Sequence, residues 1–241
     1  MLRVPVSELV TGEMTLDEEA SRYAARVHRV RVGDELLLFD PVRAREAVAT
    51  VLAVDRSKVH CRVGEPRAAA IRARRAVTLV QGIGKGDKLD AIVRDATELG
   101  ATRVIAAETA RGVVKLGARG EERMRRVRRI AVEAARQCGR GDVPELSGPL
   151  PWEEALHRAT DPIGLSLCLW ERATEPFGPK LRSLAVGQSL TVAVGAEGGL
   201  TEGEVDAARA LGYAVVSLGP FILRTETVAA AVLGAVMLTS A

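Results

Sequence analysis

Leu190-Thr191-Val192-Ala193-Val194-Gly195-Ala196-Glu197-Gly198-Gly199 is the stretch on which the fold turns. Leu190–Val194 carries one hydroxyl, no charge and three β-branched side chains, so it reads as a strand buried on both faces. Strands of that kind belong to parallel sheets covered by helices on either side. The run stops at a glycine turn built around one carboxylate, Glu197. Immediately beyond it, Thr201-Glu202-Gly203-Glu204 has the spacing of a capping box, which starts a helix that ends at Gly212. A second apolar run, Ala214–Leu218, ends in Gly219-Pro220-Phe221-Ile222-Leu223-Arg224-Thr225-Glu226-Thr227, and a last helix spans Thr225–Leu238.

The same alternation continues toward the N-terminus. Val77–Gln81 and Val104–Ala107 read as buried strands, and so does Gly164–Trp170. Asp87–Leu99 is a helix with Leu89, Ile92, Val93, Ala96 and Leu99 on one face, stopped by Gly100. Glu121–Cys138 is a longer helix. It faces Met124, Val127, Ile130, Ala131, Ala134 and Ala135 inward, and Arg123, Arg125, Arg126, Arg128 and Arg129 outward. Strands alternating with helices imply an α/β domain with a mostly parallel sheet. The first seventy or so residues differ. After a helix around Leu16–Arg29, short strands at Glu35–Phe39, Glu46–Val54 and Lys58–Val63 follow closely, as in a small antiparallel barrel or sheet. Pro66–Arg75 has no β pattern and reads as the linker.

Composition excludes several classes. Only 3% of the residues are aromatic, so a barrel that stacks many bases on rings is disfavoured. Cys61, Cys138 and Cys168 are widely spaced, which suits a reducing compartment and no disulfide framework. His28, His60 and His157 lack metal-ligand spacing, so no metal is expected. The first twenty residues are not a secretory signal, and Val228–Leu238 is too short to span a bilayer, so a cytoplasmic protein with no membrane partner is expected. The net charge is only +3, yet Arg111–Arg140 holds ten Lys/Arg against three Asp/Glu. Such a patch attracts phosphates, although a solvated helix face would look the same.

In parallel sheets, ligands sit beyond the carboxyl ends of the strands, where glycines let backbone approach them. Loop amides and carbonyls there can read an adenine edge. Gln81-Gly82-Ile83-Gly84-Lys85-Gly86-Asp87-Lys88 also follows a strand, but Asp87 breaks both the Walker and the dinucleotide glycine spacing. With no nucleophile–base pair evident, the chemistry must come from a bound cofactor and from positioning.

Gly195-Ala196-Glu197-Gly198-Gly199-Leu200 and Leu218-Gly219-Pro220-Phe221-Ile222-Leu223-Arg224-Thr225-Glu226-Thr227 resemble two segments of the RsmE family. These are SPOUT-type methyltransferases that modify N3 of a uridine in 16S ribosomal RNA. Glu98–Ala101, Arg111–Lys115, Ala134–Arg140 and the region from Arg26 to Asp40 are similar to further family blocks, so the likeness covers nearly the whole chain. It implies a PUA-like β-barrel RNA-binding domain over residues 1–70 and a SPOUT methyltransferase domain with a trefoil knot over 76–241. It also implies a homodimer, with 16S ribosomal RNA or the small ribosomal subunit as partner. S-adenosylmethionine would be held mainly by backbone, at Leu169, at Gly195, Ala196, Glu197, Gly198 and Gly199, and at Leu218, Gly219, Pro220, Ile222, Leu223 and Thr225. Ala196 stands where the family pattern has proline and is expected to loosen the turn. Phe221 stands where it has arginine.

For methyl transfer to uracil N3, Arg224 is the candidate to stabilise charge on the uracil oxygens. Glu226 is a candidate base or only a helix cap, and Glu197 a donor contact or only a turn former. Arg26, Arg29, Lys85, Lys88, Arg111, Arg136 and Arg140 are the RNA candidates. For Lys85 and Lys88 a merely solvated role stands beside that one, and for Arg136 and Arg140 the dimer seam does. A non-enzymatic RNA-binding or ribosome-assembly protein remains the alternative, as does a ribose methylator of tRNA or 23S ribosomal RNA. Binding to a 16S ribosomal RNA transcript is predicted to weaken steeply as salt rises, and a titration between about 50 and 200 mM salt checks it.

Overall fold

Two compact units make up the chain: Met1–Arg72 with Val132–Val143, and Ala73–Ala131 with Pro144–Ala241. The computed structural model describes residues 1–55, 58–112 and 120–239. Val113–Lys115, part of one family-like block, lie outside the described residues.

The larger unit is built on β7 (Val77–Gly82), β8 (Arg103–Glu108), β9 (Glu145–Pro151), β10 (Leu165–Leu169), β11 (Leu190–Val194) and β12 (Ala214–Val216). They form one sheet in the order β12-β10-β11-β7-β8-β9, and every neighbouring pair is parallel. Side chains alternate across it. Leu79, Val104, Leu167 and Val192 face a core closed by α2 (Lys88–Glu98), α3 (Gly120–Cys138), α5 (Phe177–Arg182) and α7 (Thr225–Thr239). Val80, Ile105, Cys168 and Ala193 face a second core, closed by α4 (Trp152–Ala159) and α6 (Glu202–Ala210). Each fully buried Leu, Ile or Val there contributes about 1.5–3 kcal/mol. The inward face read for α3 holds in part: Met124, Val127 and Ala131 join this core, and Ala134 and Ala135 are buried, but Ile130 is only half-buried.

Three elements of this unit have no signature in the sequence reading: β9, α4 and α5. β9 runs Glu-Leu-Ser-Gly-Pro-Leu-Pro, which looks like loop. It is tolerated as a strand because it lies at the sheet edge, where a proline removes no needed donor.

The smaller unit has strands β1 (Leu2–Pro5), β2 (Gly12–Thr15), β3 (Glu35–Asp40), β4 (Arg45–Asp55), β5 (Lys58–Val63) and β6 (Arg67–Ala68). The order is β1-β3-β4-β5-β2, with β6 on β4. Two expectations need correction. The sheet is not purely antiparallel, since β1 runs parallel to β3. The supposed linker also contributes a strand, β6, whose Arg67 reaches the buried carboxylate of Glu46 at 3.1 Å. The expected first helix is α1 (Glu18–Arg22), capped by Asp17 on the Ala20 amide at 2.8 Å and continued by a π-turn over Tyr23–Val27. Leu16, Ala20 and Ala24 pack on Leu36, Leu38, Val51, Val59 and Cys61.

Burial pushes the Cys61 thiol up to about 11 and the Cys168 thiol up to about 12, whereas Cys138 is partly exposed. Thiolates are the reactive form. Iodoacetamide should therefore label one cysteine, Cys138, in the native protein and three after denaturation, read by intact mass.

Candidate active site

The carboxyl ends of three adjacent strands open into one cleft of about 450 Å³. β10 lies between β11 and β12 in the sheet, so its end forms part of the wall between the two glycine-bearing ends. The cleft is lined by Leu169–Glu171 after β10, Val194–Leu200 after β11, and Ser217–Thr225 after β12, with Lys88 and Val228 from α2 and α7. All the donor-site candidates are here: Leu169, Gly195, Ala196, Glu197, Gly198, Gly199, Leu218, Gly219, Pro220, Ile222, Leu223 and Thr225. Trp170, Glu171 and Ser217 line it too, each next to a stretch the sequence had pointed to, at Leu169 and at Leu218.

The turn after β11 is fixed by its neighbours. A Cβ on Gly82, at the end of β7, would lie 2.4 Å from the Ala196 amide nitrogen, so the two segments touch backbone to backbone. Gly199 has φ +68°, a conformation that favours glycine. Its amide donates to the Ala196 carbonyl at 2.9 Å. The turn thus closes with alanine in place of the family's proline, and Ala196 is buried. The capping box is present as read: the Thr201 hydroxyl accepts from the Glu204 amide at 3.3 Å, and the Thr201 amide donates to Glu204 at 2.8 Å. Glu204 also accepts from the Ala110 amide at 2.7 Å, so it pins the segment after β8 to the start of α6.

Glu197 accepts from the Lys85 amide at 2.9 Å and pairs with the Lys88 ammonium at 3.3 Å. Burial works to raise its carboxyl, but its own backbone amide, the Lys85 amide and Lys88 outweigh that and hold it below the usual range. Lys88 also pairs with the buried Oε2 of Glu226 at 3.5 Å, an oxygen with no hydrogen-bond partner among the described residues. Lys88 is therefore a tie between α2, the glycine turn and the start of α7. Arg224 is exposed at the mouth of the cleft.

The other RNA candidates divide. Arg26, Arg29 and Lys85 are exposed. Arg111 is exposed too, and it also donates to the carbonyls of Gly198 at 3.2 Å and Leu200 at 3.4 Å, bracing the turn. Arg140 is buried and ion-paired with Asp142 at 2.8 Å, so it has no guanidinium to offer a phosphate. Arg136 stacks on the Tyr23 ring at 4.2 Å and pairs with Glu133. On α3, Arg123 and Arg126 meet the buried Asp90 at 3.4 and 2.6 Å. The basic stripe is thus partly internal structure, and Arg125 and Arg129 are among its exposed members.

Fold, cleft and family models together define a class, an α/β RNA methyltransferase carrying a second, β-rich unit. The family model for an RNA methyltransferase domain matches residues 72–237, and that for an RNA methyltransferase PUA domain matches residues 16–64. The chain belongs to the ribosomal RNA small subunit methyltransferase E family. The Mycobacterium bovis member is 36% identical over 238 residues, covering 95% of this chain and 88% of that protein. The Bacillus subtilis member is 33% identical over 92% of this chain and 88% of its own. The Neisseria gonorrhoeae member, solved bound to S-adenosyl methionine, superposes with a TM-score of 0.88 at 26% identity, covering 99% of this chain and 98% of its own.

Thr201→Ala should cost about 1 kcal/mol through loss of the cap. In a chain of this size that lowers Tm by roughly 2–4 °C, measurable by thermal melting.

Proposed function

We propose that the chain transfers a methyl group from S-adenosylmethionine to N3 of one uridine of 16S ribosomal RNA, the 1498-equivalent. The observation that carries this reading is the cleft itself. Its volume falls within the range of small-molecule sites, and backbone turns from two glycine-rich strand ends form much of its rim.

The residues present fit the donor. Leu169, Val194, Leu218 and Val228 offer apolar surface to an adenosine, and loop amides and carbonyls offer hydrogen bonds to its edge. The carboxylates of Glu171 and Glu197 suit a ligand with a positive sulfonium and a positive amino group. Trp170 lines the cleft and keeps a buried indole N–H that meets no acceptor among the described residues. When bound, S-adenosylmethionine supplies an electrophilic methyl group.

Uracil N3 becomes a nucleophile only as its proton leaves, and negative charge then spreads onto the uracil oxygens. Arg224, exposed at the cleft mouth, is placed to meet that charge. Glu226 is the candidate acceptor for the N3 proton, held near the cleft by Lys88. Glu197 orients the β11 turn through Lys85 and Lys88 and presents its remaining surface to the cleft.

Arg26 and Arg29 in the smaller unit, with Lys85 in the larger, are the exposed cations we assign to ribosomal RNA phosphates. A trefoil knot and a homodimer belong to the same reading. Phe221 and Ile222 are 79% and 87% exposed, apolar surface that a second copy would cover.

Arg224→Ala should lower methyl transfer by about 10²–10³-fold while leaving the affinity for S-adenosylmethionine within a fewfold of the original. Mass spectrometry of 16S ribosomal RNA, scoring 3-methyluridine, reads the first quantity and calorimetry the second. Calorimetry on the unaltered chain tests the reading as a whole. No binding of S-adenosylmethionine would leave an RNA-binding scaffold in its place.

A further inference from the structure

Gln81 is the last side chain of β7 before Gly82, and it is completely buried. Its Nε2 donates to the Thr225 hydroxyl at 2.9 Å and to the Gly82 carbonyl at 3.0 Å, with the Gly195 carbonyl at 3.4 Å. The Thr225 hydroxyl in turn donates to the Gly195 carbonyl at 2.7 Å. One side-chain amide and one hydroxyl thus join the end of β7, the first residue of the β11 turn and the first residue of α7.

Those partners fix which way the amide faces. The Gly82 and Gly195 carbonyls can only accept, and the Thr225 proton is already given to Gly195, so the nitrogen must point at all three. Turned over, the amide would set Oε1 against two carbonyl oxygens. In the observed orientation Oε1 is buried with no hydrogen-bond partner among the described residues. Burying a polar group in this way is costly. A glutamine kept there among apolar strand residues therefore points to a role that apolar packing cannot fill.

The two loops it joins are the walls of the cleft. Gly195 begins the 195–199 turn, and Thr225 ends the 218–225 segment. Their separation sets the width of the donor slot, and a backbone-lined site binds only when amides and carbonyls are held at that width.

We propose that Gln81 is a positioning residue for the methyl-donor site, holding the β11 turn and the β12 segment at the spacing the donor requires. It touches no substrate; it acts through Gly195 and Thr225. The inference rests on the reading of the cleft as an S-adenosylmethionine site.

The test is Gln81→Met, which keeps the volume and removes both donors. The dissociation constant for S-adenosylmethionine should rise about tenfold, the effect of losing one or two hydrogen bonds of preorganisation. The dissociation constant for a 16S ribosomal RNA transcript should stay within twofold. On the ligand-free chain, amides at 195–200 and 225–229 should exchange faster with solvent than in the unaltered protein. Thr225→Val removes the shared hydroxyl. The double variant should be far less than additive, because both changes break one hub.

A donor affinity within twofold of the original in Gln81→Met overturns the proposal, whatever happens to Tm. If that variant does not fold, Gln81→Leu decides by the same measurements: unchanged donor affinity overturns the proposal, and a loss of about tenfold with intact RNA binding supports it. Failure of the unaltered chain to bind S-adenosylmethionine would instead sink the reading of the cleft.

Discussion

The larger unit depends on one placement: β10 lies between β11 and β12, with all three strands parallel. Parallel strands deliver their carboxyl ends to one edge of the sheet, so three chain segments leave that edge side by side. Two of them bear glycines and turn sharply. The third supplies Leu169, Trp170 and Glu171 between them. Without the central strand the glycine turns would border each other directly and the wall would lack its indole and one carboxylate.

Around this edge, polar groups are arranged to hold backbone in place. Lys88 links Glu197 and Glu226 at 3.3 and 3.5 Å, and Arg111 holds the carbonyls of Gly198 and Leu200. Glu204 fastens the start of α6 to the Ala110 amide. These contacts tie together the residues after β7, β8, β11 and β12. A site whose ligand contacts are mainly backbone needs such support, because backbone groups cannot adjust by changing rotamer. The Lys85 amide, near the glycine-rich segment after β7, is met by the protein's own carboxylate, Glu197. That agrees with the failure of the phosphate-loop spacing at Asp87.

The smaller unit is organised by buried charge as well as by its apolar core. Glu46 is almost fully buried and is met by Arg67 at 3.1 Å and, less closely, by Arg3 at 3.8 Å. A lone buried carboxylate would be strongly destabilising, so the β6 strand that carries Arg67 is held to β4 by electrostatics as well as by its ladder. This is why Pro66–Arg75, rich in alanine and arginine, contributes a strand despite a composition that reads as linker.

The amino-acid sequence by itself determined the strand–helix alternation, the capping box at Thr201, the inward face of α3 and the two glycine-bearing strand ends. Each is a local pattern, set by side-chain period, backbone freedom or reach within a few residues. It also determined the family, since the 195–200 and 218–227 segments are read directly as strings. Only the tertiary structure decided that β10 sits between β11 and β12, that Lys88 and Arg111 turn toward the protein, that Arg140 is buried, and that Gln81 joins two loops. Most of those facts depend on partners far along the chain, 87 residues away for Arg111 and 114 and 144 for Gln81, and pairing across such distances is settled by packing of the whole sheet. The edge strands β1, β6 and β9 were hidden for a related reason: their hydrogen bonds come from a neighbour already in place, and so their own residues need little strand preference.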